Sequence, residues 1–220
     1  MIMNDKLIIK VCGLRNVDNI HALEKTAIDW MGFIFYPRSP RYVSDEDNQA
    51  EAIQSCTKIK VGVFVNEKQD EIERKVAKYH LDYVQLHGDE SPEDCQRLRE
   101  TGCAIIKAFP ISSESDFQST IAYESYVDYF LFDTKDSGYG GTGRRFHWSV
   151  LKEYRGNIPF LLSGGIGAEH LADLSAFRHP LFAGIDLNSR FECAPALKDV
   201  GKIEQFINQL RITKYKLRRV

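Results

Sequence analysis

The chain has 220 residues and a nearly balanced charge, with 29 Lys and Arg against 31 Asp and Glu and a formal net charge of −2. This balance gives no basic field for nucleic acid, and no apolar run approaches the roughly 18 residues of a membrane span. The five cysteines form no C-x-x-C pair, which argues against a disulfide framework and a zinc site. The N-terminal stretch is charged where a signal peptide is apolar, so we expect a cytoplasmic protein. The length, with no linker-like stretch dividing it, predicts one domain over residues 1–220.

Eight short apolar runs predict β-strands, and they recur at intervals close to the length of one βα unit. The stretches between them have helical periodicity, as in Val17, Ile20 and Leu23. Strands that are apolar throughout and alternate with helices favour a parallel sheet that is covered on its outer face. The sequence therefore predicts an α/β protein with a single (β/α)8 TIM barrel, and an open doubly wound sheet is the alternative. The runs are LIIKV from Leu7, WMGFIF from Trp30, KVGVFV from Lys60, DYVQL from Asp82, AIIKAF from Ala104, YFLFD from Tyr129, PFLLS from Pro159 and GIDLN from Gly184.

Capping signals predict where two of the helices begin. Ser44 with Asp47 three residues later is a candidate capping box, and Ser91 is followed by Pro92 and by acidic residues in the first turn. The fifth connection, residues 111–128, is weakly patterned, so we expect a short helix there at most.

The first strand ends in a cysteine beside a lysine. In a TIM barrel, functional residues cluster at the C-terminal ends of the strands. A cation such as Lys10 would stabilise a thiolate on Cys12, which makes Cys12 a candidate general base. The alternative is that Cys12 is a small buried hydrophobe. Gly13 frees the backbone for a tight turn after the strand.

Three further strand ends carry candidate groups. After the second strand, Arg38 and Arg41 lie beside two prolines that stiffen the loop, and their guanidinium groups suit a ligand carboxylate or phosphate, unless they are only solvated surface. After the fourth strand, Gln85 precedes His87, which is a structural hydrogen-bonding group or a ligand contact. Asp133 ends the sixth strand, where partial burial would raise the pKa of a general acid; a loop cap is the alternative.

A glycine-rich segment follows the sixth strand and contains G-x-G-x-x-G at Gly138, Gly140 and Gly143. A dinucleotide fingerprint should follow the first strand of a βαβ unit, open a helix at once and be followed by an acid about 20 residues later. None of these conditions holds. We expect instead a flexible loop over the site that offers backbone N–H groups to a ligand, with Gly141 as a substrate contact.

The last two strands end in segments typical of a phosphate site. Ser163, Gly164 and Gly165 bring bare backbone N–H groups to the next helix, and Asn188 with Ser189 does the same after the eighth strand. In TIM barrels, the phosphate site is commonly formed by these two loops together with a helix N-terminus.

Seven segments occur in the order and spacing of phosphoribosylanthranilate isomerases, and the chain resembles this family from about Leu7 to the last helix. The resemblance implies a single barrel without a cofactor that catalyses a step of tryptophan synthesis. That step is the Amadori rearrangement of N-(5-phosphoribosyl)anthranilate to 1-(o-carboxyphenylamino)-1-deoxyribulose 5-phosphate. The segments are KVCGLRN, GFIFYPRSPRYVS, KVGVFVN, VQLHGDE, FLFDTKDSGYGGTGRRFHW, LLSGGI and GIDLNSRFE.

The resemblance also implies roles for the candidate residues. Cys12 matches the general base that removes the proton from ribose C2, and Asp133 matches the general acid that protonates the ring oxygen. Arg41 matches the arginine that holds the anthranilate carboxylate, and we expect His87 to contact the substrate as well. The phosphate and the border of the site are expected at the strand-end residues Gly164, Gly165, Asp186, Asn188 and Ser189.

Two departures from the family pattern lie near these residues. The family commonly has Ser-Ser-Gly-Val-Glu where this chain has Asn188, Ser189, Arg190, Phe191 and Glu192, so an arginine replaces a glycine near the expected phosphate. Arg190 would add a charge contact or crowd the loop. His147 stands where the family usually has Asp before the tryptophan.

Two other functions remain open from the residues. One is a different phosphosugar barrel enzyme that relies on a catalytic lysine, for which Lys10, Lys60 and Lys107 are available in the strand runs. The other is a barrel that binds a phosphosugar without catalysis. In each case we expect a small phosphoribosyl-type ligand, no nucleic acid, membrane or metal, and a chain that is a monomer or a homodimer.

Overall fold

The computed structural model describes residues 7–44, 47–133 and 148–217 of the chain. The glycine-rich segment with Gly138, Gly140, Gly141 and Gly143 lies outside the described residues, so the prediction for Gly141 stays a prediction. Within the described ranges, no helix is long and apolar enough to cross a membrane.

Eight parallel strands close into a barrel, in which each strand pairs with the next along the chain and the eighth pairs with the first. The (β/α)8 prediction is confirmed and the open-sheet alternative is wrong. Each strand lies within two residues of its predicted run. The strands are β1 Ile8–Cys12, β2 Trp30–Ile34, β3 Ile59–Phe64, β4 Tyr83–Leu86, β5 Ala104–Pro110, β6 Tyr129–Asp133, β7 Phe160–Ser163 and β8 Phe182–Leu187.

The connections hold six α-helices in the described residues and several 3-10 segments. The fifth connection has only the 3-10 segment Glu114–Tyr123, as its weak pattern predicts. Another 3-10 segment, Ala168–His170, leads into the helix after β7. The α-helices are α1 Val17–Glu24, α2 Asp47–Ser55, α3 Gln69–Tyr79, α4 Pro92–Glu100, α5 Leu171–Ala176 and α6 Val200–Leu217.

Local sequence signals explain how α1 and α4 begin. The Ser91 side chain accepts a hydrogen bond from the backbone N–H of Asp94, whose carboxylate accepts one in return from the backbone N–H of Ser91. This reciprocal capping box is the predicted one. Asn16 caps α1 by accepting from the backbone N–H of Asn19 at 2.9 Å. The second predicted box depends on the Asp47 side chain, which lies outside the described residues.

The strands separate two apolar layers. Alternate residues point inward, and an interior layer from β2, β3, β5, β6 and β7 fills the barrel with Trp30, Val61, Ile106, Ala108, Leu131 and Leu161. The other face of each strand packs against the helices in a larger outer layer. At the N-terminal end, Trp30 stacks on Tyr83 at 4.8 Å between ring centroids and meets Tyr129 edge-on at 5.3 Å. We call these three rings the floor of the barrel.

A short antiparallel hairpin follows β8 and was not predicted from the sequence. Its strands are β9 Glu192–Ala194 and β10 Leu197–Lys198. Asn19 of α1 holds the hairpin, because its side chain donates to the Lys198 carbonyl and accepts from the Lys198 N–H. The hairpin therefore places two charged side chains, Glu192 and Lys198, next to the C-terminal end of β1.

Candidate active site

A cleft of about 330 Å³ opens at the C-terminal ends of the strands. This is the end of the barrel where the sequence predicts function. Of the ten predicted site residues, Arg41 is not among those that line the cleft and Gly141 lies outside the described residues. The remaining eight line it together: Cys12, His87, Asp133, Gly164, Gly165, Asp186, Asn188 and Ser189.

Cys12 ends β1 with its thiol inside the barrel, and its residue surface is 3% exposed. The thiol fits because β2 has a glycine at the paired position. A Cβ on Gly32 would stand 2.7 Å from the Cys12 sulfur. Gly13 then turns the chain with a φ of 80°, and its own missing Cβ leaves room for the stem of Arg41. The turn after β1 is therefore as predicted.

The electrostatics around Cys12 differ from the simple expectation of a thiolate held by a cation. Burial raises the pKa of the Cys12 thiol above its ordinary value, and the hydrogen bond and positive charge of Lys10 only partly oppose this. A Cys12 thiolate that acts as a base therefore depends on the positive charge of Lys10.

Lys10 is fully buried and bonded to Asp186 across the seam between β1 and β8. Its Nζ lies 3.0 Å from Asp186 Oδ1, and the two residues are register partners. Burial acts against a charge on Lys10, but attraction to Asp186 and Cys12 outweighs it and raises the pKa of the Lys10 ammonium. A charged amine is a poor nucleophile, which argues against Lys10 as a catalytic Schiff-base lysine.

The other two lysines of the lysine-dependent alternative point out of the barrel. Lys60 Nζ lies 3.2 Å from the Cys56 carbonyl oxygen. Lys107 Nζ lies 2.7 Å from the Gly88 carbonyl oxygen and 3.2 Å from a Glu90 carboxylate oxygen. Neither ammonium lines the cleft. Both lysines hold loops and strands together in the outer layer.

His87 and Asp133 meet in the cleft from β4 and β6. His87 Nε2 lies 3.7 Å from Asp133 Oδ2, and both side chains are about one third exposed. The second ring nitrogen, Nδ1, lies 2.9 Å from the side-chain nitrogen of Gln85, which is buried on β4. Asp133 is therefore an accessible carboxyl at a strand end with a histidine beside it.

Arg41 is held by a residue that the sequence analysis did not assign to the site. Its Nε and Nη2 donate to the two carboxylate oxygens of Glu192 at 2.8 and 2.6 Å. Lys198 Nζ donates to the same carboxylate at 2.7 Å and to the Asn188 side-chain oxygen at 2.7 Å. Burial acts to raise the pKa of Glu192, but these hydrogen bonds outweigh it and lower the pKa to about 2. The guanidinium is therefore oriented by an ion pair with a residue 151 positions away in the sequence.

The loops after β7 and β8 form a second part of the rim of the cleft. Gly164 and Gly165 both have positive φ values, 99° and 60°. Asn188, Ser189 and Arg190 line the cleft from the β8 side. Lys202 Nζ holds the Arg190 backbone carbonyl at 2.7 Å. The rim thus combines turned backbone with the guanidinium of Arg190, the residue that departs from the family pattern.

Glu192 and Lys198 are the site-adjacent residues that sequence reasoning missed. Both stand in the segment after β8, in SRFE and APALKD, where two charges occur within a short turn-rich stretch. Charges in such a stretch are usually solvated, so sequence patterns alone do not predict that these two side chains lie beside the site. Gln85, to which the sequence assigns no role, also lines the cleft.

The matching family model and the sequence relatives agree on one family. The family model for N-(5'-phosphoribosyl)anthranilate isomerase matches residues 9–209 of the chain. The isomerase of Parabacteroides distasonis is 53% identical over 206 residues, which are 93% of this chain and 93% of the relative.

Solved structures of the same family superimpose on the barrel. The crystal structure of phosphoribosyl anthranilate isomerase from Thermotoga maritima has a TM-score of 0.79 and 32% identity, covering 94% of this chain and 99% of that one. An isomerase in complex with reduced 1-(o-carboxyphenylamino)-1-deoxyribulose 5-phosphate has a TM-score of 0.75 and 28% identity, with the same coverage. With its barrel, its cleft and these matches over nearly the whole length, the chain belongs to the N-(5'-phosphoribosyl)anthranilate isomerase family.

Proposed function

We propose that the cleft isomerises N-(5-phosphoribosyl)anthranilate with Cys12 as the general base and Asp133 as the general acid. The observation that carries this assignment is that both groups line one cleft from the ends of β1 and β6. Each has a partner suited to its role, since Lys10 contacts the thiol and His87 faces the carboxyl. An acid and a base on different strands can act on opposite sides of one sugar.

The chemistry needs one proton delivered and one removed. Asp133 gives a proton to the ring oxygen while the C1–O bond breaks and the nitrogen lone pair forms a C1=N double bond. The Cys12 thiolate then takes the proton from C2, whose bonding electrons form C1=C2 while the C1=N electrons return to nitrogen. The resulting enol becomes the ketone when the Cys12 thiol returns a proton to C1 and the C2 hydroxyl gives one to Asp133. Each cycle therefore ends with a proton restored to Asp133 and removed from Cys12.

The residue types fit these two roles. A second carboxylate in the role of the base would share a proton with the acid, whereas a thiol and a carboxyl keep the acid and the base distinct. Lys10 stabilises the thiolate during the step in which it acts. C1 is reduced and C2 is oxidised within the same molecule, so the reaction needs no external electron donor or acceptor. We accordingly propose that no cofactor takes part.

We assign the carboxylate end of the substrate to the loop after β2 and the phosphate end to the loops after β7 and β8. Arg41 uses two of its five N–H donors on Glu192, which leaves three for the anthranilate carboxylate. The phosphate is assigned to the backbone N–H groups of Gly164, Gly165 and Ser189 with the guanidinium of Arg190, since turned backbone and a fork-shaped cation both suit a phosphate. His87 and Asp186 border the sugar between these ends.

The setting of the enzyme follows from the same features. All five cysteines are free thiols, which suits a reducing cytoplasm. The balanced charge supports a small-molecule ligand and no nucleic acid. We keep monomer and homodimer as the two assembly states, and size-exclusion chromatography with light scattering decides between them.

The test is the loss of anthranilate fluorescence from substrate made in situ from anthranilate and phosphoribosyl pyrophosphate. We expect Cys12→Ala and Asp133→Asn each to lower kcat by about 10²- to 10⁴-fold, the usual contribution of a general acid or base. Both variants should still bind a reduced product analogue, because neither removes the carboxylate or phosphate contacts.

Two matched controls separate chemistry from folding. Cys95→Ala removes a thiol that is equally buried but lies in the outer layer, and Asp173→Asn changes an exposed carboxylate on α5. Both should keep the wild-type kcat. A Cys12→Ala or Asp133→Asn variant with near wild-type turnover would refute that residue's assignment. Wild type that binds the analogue without turnover would favour the non-catalytic barrel.

A further inference from the structure

The Gln85 side chain is a buried polar group with one end unexplained. It lies inside the barrel on β4, is 1% exposed and lines the cleft. Its nitrogen is 2.9 Å from His87 Nδ1, whereas its oxygen is buried and has no hydrogen-bond partner among the residues that the structure describes. A buried polar atom left in this state calls for a reason, because it costs stability.

The reason lies in what a carboxamide nitrogen can do. An amide NH₂ group only donates, so the nitrogen at Nδ1 requires that His87 Nδ1 accept and carry no proton. A neutral imidazole with a bare Nδ1 has its proton on Nε2. Turning the amide over would leave the NH₂ group in the unpartnered position, and orphaned N–H donors are rarer in proteins than orphaned carbonyl oxygens. The observed orientation of Gln85 therefore selects one tautomer of His87.

That tautomer determines which oxygen of Asp133 can hold a proton. His87 Nε2 faces Asp133 Oδ2 at 3.7 Å in the ligand-free protein, and such contacts commonly tighten when substrate binds. An N–H directed at Oδ2 is incompatible with a proton on the same side of Oδ2, so a protonated Asp133 carries its proton on Oδ1. In the opposite tautomer, Nε2 would accept a proton from Oδ2 and keep it away from the sugar.

We propose that Gln85 is a positioning residue, which fixes the proton of His87 on Nε2 and so places the acidic proton of Asp133 on Oδ1, ready for the substrate. This inference rests on the proposed role of Asp133 as the acid. It explains why a glutamine with an unpartnered oxygen occupies an interior position where its register neighbours, Val63 and Ile106, are apolar.

The first measurement is the ¹⁵N NMR spectrum of the histidine rings in the ligand-free protein, which distinguishes protonated from bare ring nitrogens. We expect His87 to carry its proton on Nε2 in wild type. Gln85→Met removes the donor at similar length, so the preference for Nε2 should be lost. Gln85→Glu places an acceptor at Nδ1, so the proton should move to Nδ1. A His87→Asn variant assigns the resonances.

The second measurement is turnover. We expect Gln85→Met to lower kcat on the order of 10²-fold, as for a misplaced catalytic group, while KM changes by no more than about twofold. The matched control is Ile106→Val, which removes a methyl group from the register neighbour of Gln85 on β5 and leaves the amide in place. This control should keep both the wild-type ring spectrum and the wild-type kcat.

Two results would overturn the inference: a wild-type His87 ring protonated at Nδ1, or a Gln85→Met variant that keeps the wild-type kcat. Failure of the proposed acid is seen separately. If Asp133→Asn kept its turnover, the kinetic consequence assigned to Gln85 would fall with it, while the ring spectra would still show whether Gln85 sets the tautomer.

Discussion

The mouth and the floor of the barrel are built from the same strands but differ completely in chemistry. Along β1, the inward residues change from Ile8 to Lys10 to Cys12, and along β6 they change from Tyr129 to Leu131 to Asp133. Each step is two residues, the repeat that returns a side chain to the same face of a strand. A distance of four residues therefore separates a side chain that packs in the barrel from one that lines the cleft.

The barrel therefore keeps the residues that only stabilise it apart from the residues that line the cleft. The floor closes the N-terminal end with three aromatic rings and has no need of partners for charges. The mouth also holds buried charges, and these are paired, as Lys10 is with Asp186 and Glu192 is with Arg41 and Lys198. Changes at the floor should lower stability alone, and changes at the mouth should alter the rate.

Lys10→Met is expected to have the largest effect, because it should lower both the stability of the protein and its turnover. It leaves the Asp186 carboxylate buried without its cation, which should lower the free energy of unfolding by about 3–5 kcal/mol. It also removes the charge that opposes the raised pKa of Cys12, so kcat should fall. Urea unfolding and the fluorescence assay measure the two effects.

The matched control for this change is Lys152→Met at an exposed position. It should alter the free energy of unfolding by no more than about 0.5 kcal/mol. If Lys10→Met changed the free energy of unfolding as little as this control, the Lys10–Asp186 pair would not stabilise the mouth of the barrel.

Trp30→Ala tests the floor at the N-terminal end of the barrel. Removing the central ring of the floor should lower the free energy of unfolding by about 3–5 kcal/mol, the usual cost of truncating a buried tryptophan. The kcat of the folded fraction should stay at the wild-type value, because no floor ring lines the cleft. Urea unfolding with parallel turnover assays checks this, and Ile121→Ala at a 60% exposed position is the control. A fall in kcat beyond the loss of folded protein would contradict the division.

Glu192→Gln has the smallest expected effect, a loss of stability at neutral pH that disappears in acid, where the wild-type carboxyl is also protonated. The pKa of Glu192 is about 2 in the folded chain against an ordinary 4.5, so between these values the unfolded chain binds a proton that the folded chain does not. Wild-type stability should therefore fall as pH decreases through this range, by on the order of 3 kcal/mol from this group. The Gln variant lacks that part of the slope.

Urea unfolding at a series of acidic pH values measures the Glu192 effect. Glu204→Gln on the exposed side of α6 is the control and should keep the wild-type slope. Equal slopes for wild type and Glu192→Gln would mean that Arg41 and Lys198 do not hold the carboxylate in solution.

The barrel, its strands and most of the residues that line the cleft could be predicted from the sequence alone. Apolar runs such as YFLFD specify strands, their spacing specifies βα units, and local signals such as Ser91 with Asp94 specify helix starts. Cys12 and Asp133 were readable because a barrel brings the C-terminal strand ends together whatever the details of its packing. These features depend on neighbours close in the chain or on the topology alone.

The pairing of the charges depends on the tertiary structure and could not be predicted from the sequence. The partner of Arg41 is Glu192, the partner of Lys10 is Asp186, and each pair joins residues more than 150 positions apart. The raised pKa of Cys12 and the orientation of Gln85 depend on burial and on groups from other strands. Electrostatic energies vary steeply with distance and burial, and neither quantity is encoded in local sequence, so these contacts appear only when the barrel closes.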